Sequence, residues 1–177
     1  GKRMMTTMIR NYCGEVLPVD LQKYEILDIE YKFDIPLKQF LSPELKERED
    51  NFVHICGSID LIAVDKKTNE VWGFEHKSAK QYKPLLIVKM DEQPRVYTEA
   101  LHLFVRDWNN KPEHADRQLK VGGVIFNEVR KLLTKFEYRR TPCQYTVEQR
   151  NQFKKGFRES CVQIFQQVKL SDALPIP

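Results

Sequence analysis

The stretch from Phe52 to Lys80, FVHICGSIDLIAVDKKTNEVWGFEHKSAK, constrains the fold more than any other part of this chain. Two runs rich in β-branched and aromatic residues surround a polar cluster, Asp65-Lys-Lys-Thr-Asn69-Glu70, which is the pattern of a β-hairpin. With residues 66–69 as the loop, Val64 faces Val71, Ile62 faces Gly73 and Asp60 faces Glu75. Side chains alternate along a strand. Asp60, Ile62, Val64, Val71, Gly73, Glu75 and Lys77 therefore share one face, and Leu61, Ala63, Trp72 and Phe74 share the other. Both faces are largely apolar, so the hairpin is expected to be substantially buried.

The pairing of Asp60 with Glu75 is the anomaly. Directly opposed residues stand about 4.5–5.5 Å apart at Cβ, and like charges there destabilise the pair. In apolar surroundings two carboxylates need a compensating cation, or one of them must hold a proton. A divalent metal meets that need, and all-oxygen ligation suits Mg²⁺ or Mn²⁺ better than zinc. The backbone carbonyl of His76 offers a further oxygen, and Lys77 brings a positive charge to the same face. The plainer reading is that Asp60 lies at the solvent edge in an ordinary ion pair with Lys77. The His76 side chain points to the opposite face, towards Ile59, and His54 is assigned no role.

Gly57-Ser-Ile-Asp60 followed by Glu75-His-Lys77 resembles the G-x-x-D and E-x-K motifs of the PD-(D/E)XK nuclease superfamily. Gln93-Pro-Arg-Val-Tyr97 resembles the Q-x-x-x-Y motif of its RecB-like exonuclease branch, phage-encoded members included. The resemblance spans about residues 24 to 140, with its specific motifs between 57 and 97. It implies an α/β fold, a central mixed β-sheet flanked by helices (the restriction-endonuclease-like core), with the site at one sheet end. It also implies a Mg²⁺- or Mn²⁺-dependent DNA nuclease, exonucleolytic, serving recombination, repair or replication. In that scheme Asp60, Glu75 and the His76 carbonyl hold the metal. Lys77 orients the attacking water or stabilises charge at phosphorus, and Gln93 and Tyr97 line the site. A glutamate in the preceding strand lies near the metal in such proteins, which makes Glu30 a candidate third acid and equally a solvated strand residue. DNA is the implied partner, together with a helicase or recombination protein. Two alternatives stay open: a nuclease fold that binds nucleic acid or assembles without turnover, and a structure-specific or RNA-directed nuclease.

The remaining segments fit around that hairpin. At 177 residues the chain is read as one domain, residues 1–177, and the resemblance leaves open that helices preceding the sheet lie outside it. Met8 to Cys13 reads as the end of a helix broken by Gly14 and Pro18. Tyr24 to Leu37 alternates as a half-buried strand, with Ile29 among its apolar set. Ser42 to Asp50 is a charged connection, and Ser78 to Asp91 a loop with an apolar patch at Leu85 to Val88. A helix begins at Gln93-Pro94 and carries Gln93 and Tyr97 one turn apart, projecting together. Asn109 to Arg117 is a polar loop, and Val121 to Arg130 a buried strand with an exposed end. Residues 131–145 read as a basic loop, whose Lys131, Lys135, Arg139 and Arg140 are candidate phosphate contacts. Thr146-Val-Glu-Gln149 resembles a capping box. It opens a helix whose Phe153, Phe157, Cys161, Ile164, Phe165 and Val168 read as core, with Lys154, Lys155 and Arg158 outward.

Net charge is +4, which permits a phosphate-bearing partner without requiring one. Cys13, Cys56, Cys143 and Cys161 are widely spaced, so they read as small apolar residues and not as ligands of an iron–sulfur cluster. The seven glycines form no phosphate-binding loop pattern. No apolar run approaches membrane-spanning length, and no signal-peptide core follows the first residues. The expected compartment is the cytoplasm, or the nucleus of a eukaryotic host.

Overall fold

The computed structural model describes residues 2–40, 53–132 and 137–172. Ser42 to Asp50, Lys135 and the tail after Asp172 lie outside the described residues. The class is α/β, with a five-stranded mixed sheet and flanking helices. Its strands are β1 (Tyr24–Pro36), β2 (His54–Asp65), β3 (Glu70–Ala79), β4 (Lys120–Arg130) and β5 (Tyr138–Cys143), in the order β1-β2-β3-β4-β5. The chain falls into two compact units, and β1 and β2 run from one into the other. One unit takes the described residues of 1–31 and 58–144, the second those of 32–57 and 145–177.

In the first unit the hairpin forms with the loop and register expected. Val64 pairs with Val71, Ala63 with Trp72, Ile62 with Gly73 and Leu61 with Phe74. The turn closes because Asp65 Oδ1 accepts the N–H groups of Lys67 (2.9 Å) and Thr68 (3.3 Å), while Asn69 adopts the left-handed conformation at φ 56°. The ladder stops at Leu61–Phe74, so the expected pairing of Asp60 opposite Glu75 is not part of it. Ile59 leans to the Gly73 side, the side of Ile62, so β2 slips phase across Asp60 and Leu61. The expected packing of His76 on Ile59 is therefore not formed.

Strand β3 runs parallel to β4, and a parallel pair needs a crossover. Helices α4 (Leu85–Met90) and α5 (Glu92–Asn109) lie in that connection. The expected loop from Ser78 to Asp91 is thus partly strand and partly helix. Its apolar patch buries only Val88 and leaves Leu85, Leu86 and Ile87 exposed. Helix α5 packs Ala100, Leu101 and Val105 inward, and Gly73 is what lets it approach. A Cβ at Gly73 would stand 3.1 Å from Leu101 Cδ1 and 3.3 Å from Ile59 Cγ2. On the other sheet face Tyr24, Ala63, Phe74 and Ile125 form a buried cluster.

Four further expectations change in this unit. Residues 2–23 are helical nearly throughout: α1 (Lys2–Asn11), a π-helical turn over Tyr12–Val16 that absorbs Gly14, and α2 (Leu17–Lys23) with Pro18 in its first turn. Proline is tolerated there because no intrahelical N–H is needed. The basic loop contains β5, antiparallel to β4, an edge strand whose Pro142 lacks a ladder donor. The burial of β4 runs further than expected, through Asn127 at 0% and Glu128 at 1% exposure, and its last residues Val129 and Arg130 are half-buried. In β1, Glu30 has φ 52°, and the break in alternation leaves Ile29 exposed.

In the second unit, Gly57 makes room for the Phe33 ring, whose nearest carbon would lie 2.4 Å from an added Cβ. His54 pairs with Asp34 at 2.7 Å. Helix α3 (Leu37–Phe40) begins where the Leu37 N–H reaches the Val53 carbonyl at 2.8 Å. Helix α6 (Val147–Asp172) opens with the expected capping box: Thr146 Oγ1 accepts the Gln149 N–H (3.3 Å), and Gln149 Oε1 accepts that of Thr146 (3.0 Å). Phe153 and Phe157 form a ring pair at 5.4 Å. Further along α6, Ile164 and Val168 are exposed and Lys154 is buried, so the apolar stripe is not continuous core.

Candidate functional site

Glu75 stands at the centre, on β3 and 4% exposed. Its Oε1 accepts from Gln93 Nε2 at 3.0 Å and is ion-paired with Lys77 Nζ. Its Oε2 is buried with no hydrogen-bond partner. Gln93 reaches it because Asp91 caps α5, accepting the Gln93 N–H at 3.2 Å, which fixes the first turn beside the strand. The same Gln93 Nε2 donates to Tyr97 Oη at 2.8 Å. Asp60, half-buried where β2 slips, turns its Oδ2 onto the His76 N–H at 2.7 Å. Asp60, Glu75, Lys77, Gln93 and Tyr97 are thus brought to one place, and Lys77 pairs with Glu75 instead of Asp60. The His76 carbonyl opens the peptide to Lys77 on the same strand.

Burial works against the charge of Lys77, but the hydrogen bond and charge of Glu75 outweigh it and hold its pKa above the ordinary lysine value. Lys77 thus sets a positive charge against Glu75. Burial pushes the Tyr97 hydroxyl up, with Gln93 pulling the other way. Burial also holds the His76 imidazole below its usual range; the nearby Asp60 charge opposes this and Arg140 reinforces it.

No family model matches the chain, and no curated protein is similar enough to count as a relative. The site is therefore judged on its own donor set. A buried carboxylate oxygen without a donor is rare and calls for an explanation, and two carboxylates fit a hard cation that keeps several of its waters. Among the described residues no three His, Cys, Asp or Glu side chains gather into a metal-holding group. Glu30, exposed on β1, supplies no third carboxylate. Among the described residues no helix is long and apolar enough to cross a membrane.

The basic candidates divide. Lys131 is exposed. Arg139 is paired with the buried Glu128, and it also donates to the Lys83 carbonyl and lies 4.7 Å from the Tyr82 ring centroid. Arg140 grips Asp20, donating through Nη1 at 2.6 Å, and also reaches Tyr12 Oη at 3.0 Å. Burial opposes its charge and Asp20 more than restores it. Of the four cysteines, Cys143 is buried while Cys13 and Cys56 are exposed, so the reading of all four as core residues fails for two.

Sequence reasoning missed a second layer. Asn127 Nδ2 donates to His76 Nδ1 (2.7 Å) and to Tyr12 Oη (3.2 Å), while its Oδ1 faces Arg140 Nε (3.4 Å). The signal was present: Asn127 and Glu128 interrupt the apolar run of β4, where only partnered polar groups are tolerated.

Proposed function

We propose that this chain is a Mg²⁺- or Mn²⁺-dependent phosphodiester hydrolase of the PD-(D/E)XK type, close to the RecB-like branch, acting on DNA. The observation that carries the proposal is the orphaned Oε2 of a buried Glu75, placed with Asp60, Lys77 and Gln93. A cation bound there supplies Lewis acidity towards a phosphate oxygen and lowers the pKa of a bound water. Asp60 and Glu75 hold it, with the His76 carbonyl as a further oxygen. Gln93 keeps Glu75 in one rotamer through Oε1, leaving Oε2 for the metal. Tyr97 fixes Gln93 in turn. Lys77 sets a positive charge where a phosphate accumulates negative charge in the transition state. Exonucleolytic action, a role in recombination, repair or replication, and a helicase or recombination partner belong to the same reading.

One observation favours a second reading, a nucleic-acid-binding protein without turnover: the described residues offer no third acid near the pair. Nucleotide release from linear duplex, circular, single-stranded DNA and RNA, measured with Mg²⁺ or Mn²⁺, separates the two. Release from linear DNA that falls at least a hundredfold in Lys77→Ala and Glu75→Gln is expected. Binding without metal-dependent release from any substrate would overturn the hydrolase reading.

A further inference from the structure

Lys83 lies in the connection from β3 to α4, and one ion pair holds its backbone on both sides. Its N–H donates to Glu128 Oε1 at 3.0 Å. Its carbonyl accepts from Arg139, whose Nε donates to Glu128 Oε2 at 3.1 Å. A connecting segment ordinarily runs over the surface and leaves its peptide groups to water. Here a carboxylate 1% exposed is desolvated to grip a single loop residue, which is costly unless the grip has a use. What the clamp presents is the Lys83 ammonium, on a side chain 52% exposed.

That ammonium stands beside the candidate site. In the parallel register Glu75 pairs with Phe126 and Lys77 with Glu128, so all four share the sheet face on which Gln93 meets Glu75. Lys83 Nζ hangs 5.8 Å from the Phe126 ring centroid. It pairs with Asp91 Oδ2 at 3.3 Å, while Asp91 Oδ1 caps the turn that delivers Gln93 to Glu75. Lys77 and Lys83 thus place two ammonium groups on one face, the first at Glu75 and the second over the neighbouring strand. An exposed pair such as Lys83 with Asp91 contributes little, so a phosphate replaces it readily, and the Asp91 cap on Gln93 survives the exchange. We propose that Lys83 binds the phosphate adjoining the one held at Asp60, Glu75 and Lys77, and so sets the register of the strand in the site. This rests on the nuclease reading and deepens it. Lys83 is a binding residue with no part in bond breaking, and it reads backbone charge without regard to base.

The test replaces one phosphate at a time by a neutral methylphosphonate along a single-stranded DNA oligonucleotide. Binding is followed by fluorescence anisotropy in a fixed concentration of Ca²⁺, which takes the same oxygen ligands. One position is expected to weaken the unaltered chain roughly tenfold, as loss of a hydrogen bond between charged groups does. Lys83→Met is expected to show a similar loss on the unmodified strand and no further loss at that position. A neighbouring position, the phosphate at the carboxylates, weakens both proteins alike. The slope of log Kobs against log salt should be shallower by about 0.7 in Lys83→Met and restored in Lys83→Arg, which keeps the charge on the same clamped backbone. Equal slopes and coinciding methylphosphonate profiles for the unaltered chain and Lys83→Met overturn the proposal, as does failure of the unaltered chain to bind the strand. Cleavage by the unaltered chain is assayed separately with Mg²⁺. A profile that depends on Lys83 without any cleavage keeps the phosphate contact and removes the nuclease reading; cleavage with coinciding profiles does the reverse.

Discussion

Glu75 has one carboxylate oxygen tied by Gln93 and Lys77 and the other, equally buried, tied by nothing. A buried acceptor left without a donor costs about 1–3 kcal/mol, and more when charged. Removing the charge should therefore cost little in the metal-free protein. Glu75→Gln is expected to unfold within about 1 kcal/mol of the unaltered chain in chelator. Mn²⁺ at a hundredfold excess over its Kd should stabilise the unaltered chain by about 2.7 kcal/mol and leave the variant where it was. Equal Mn²⁺ shifts in denaturant titrations of the two would show that Glu75 holds no metal. Asp65 has a different task, closing the hairpin turn. The Lys67 N–H lowers its pKa most, with help from the Thr68 N–H and from Lys23 at 3.5 Å, against the pull of burial. A carboxylate depressed in the folded state stabilises above its unfolded pKa of about 3.9, and that contribution is lost as pH falls through the lower folded value. Asp65→Asn keeps an acceptor and loses the charge. It should cost about 1 kcal/mol at pH 7, and the gap should close in urea titrations carried below about pH 3.

Helix α5 carries Gln93 and Tyr97 to Glu75, and its distance from the sheet is set where Leu101 rests over Gly73. Leu101→Ala should cost about 2–5 kcal/mol through the lost burial and the cavity. Gly73→Ala should cost about 1 kcal/mol by overpacking, since Leu101 Cδ1 at 3.1 Å and Ile59 Cγ2 at 3.3 Å must each give way to its new methyl. The double variant should lose less than the sum, by at least about 0.5 kcal/mol, because each change makes room for the other. Strict additivity in chemical denaturation would mean that the two residues do not share that contact. This element was largely legible in the sequence. Period-two alternation and a turn with Asp65 and Asn69 specify the hairpin register, and a one-turn spacing brings Gln93 and Tyr97 together, because both are local rules. Strand β5 was not legible, because what makes Tyr138–Cys143 a strand is not alternation. Its arginines are satisfied by Glu128 on β4 and by Asp20 on α2, partners that only the folded chain supplies. The slip across Asp60 and Leu61 was hidden for the same reason: Ile59 turns towards Leu101, a residue forty-two positions later that no local pattern points to.

For the molecule as a whole, the excess of basic residues overstates the charge available to a polyanion. Arg106, Arg117, Arg130, Arg139 and Arg140 are each ion-paired with a carboxylate. The Arg139 pair matters most, because Glu128 is 1% exposed and would keep only the Lys83 N–H at 3.0 Å, its charge uncompensated. Removing one member of a buried pair costs about 3–5 kcal/mol. A phosphate contact by Arg139 would require that pair to open, which binding to one phosphate does not offset. The salt dependence of DNA binding measures how many phosphates are contacted, with a slope of about −0.9 per contact on duplex. With Arg130, Arg139 and Arg140 paired and their side chains only 30%, 26% and 23% exposed, none of the three should add to the slope of log Kobs against log salt. Arg139→Gln separates the roles, since it should lower stability by about 3 kcal/mol or more and leave the slope unchanged. A slope that falls by about one with stability intact would instead place Arg139 on the phosphate backbone, and Glu128 would then be a carboxylate that releases its partner when nucleic acid arrives.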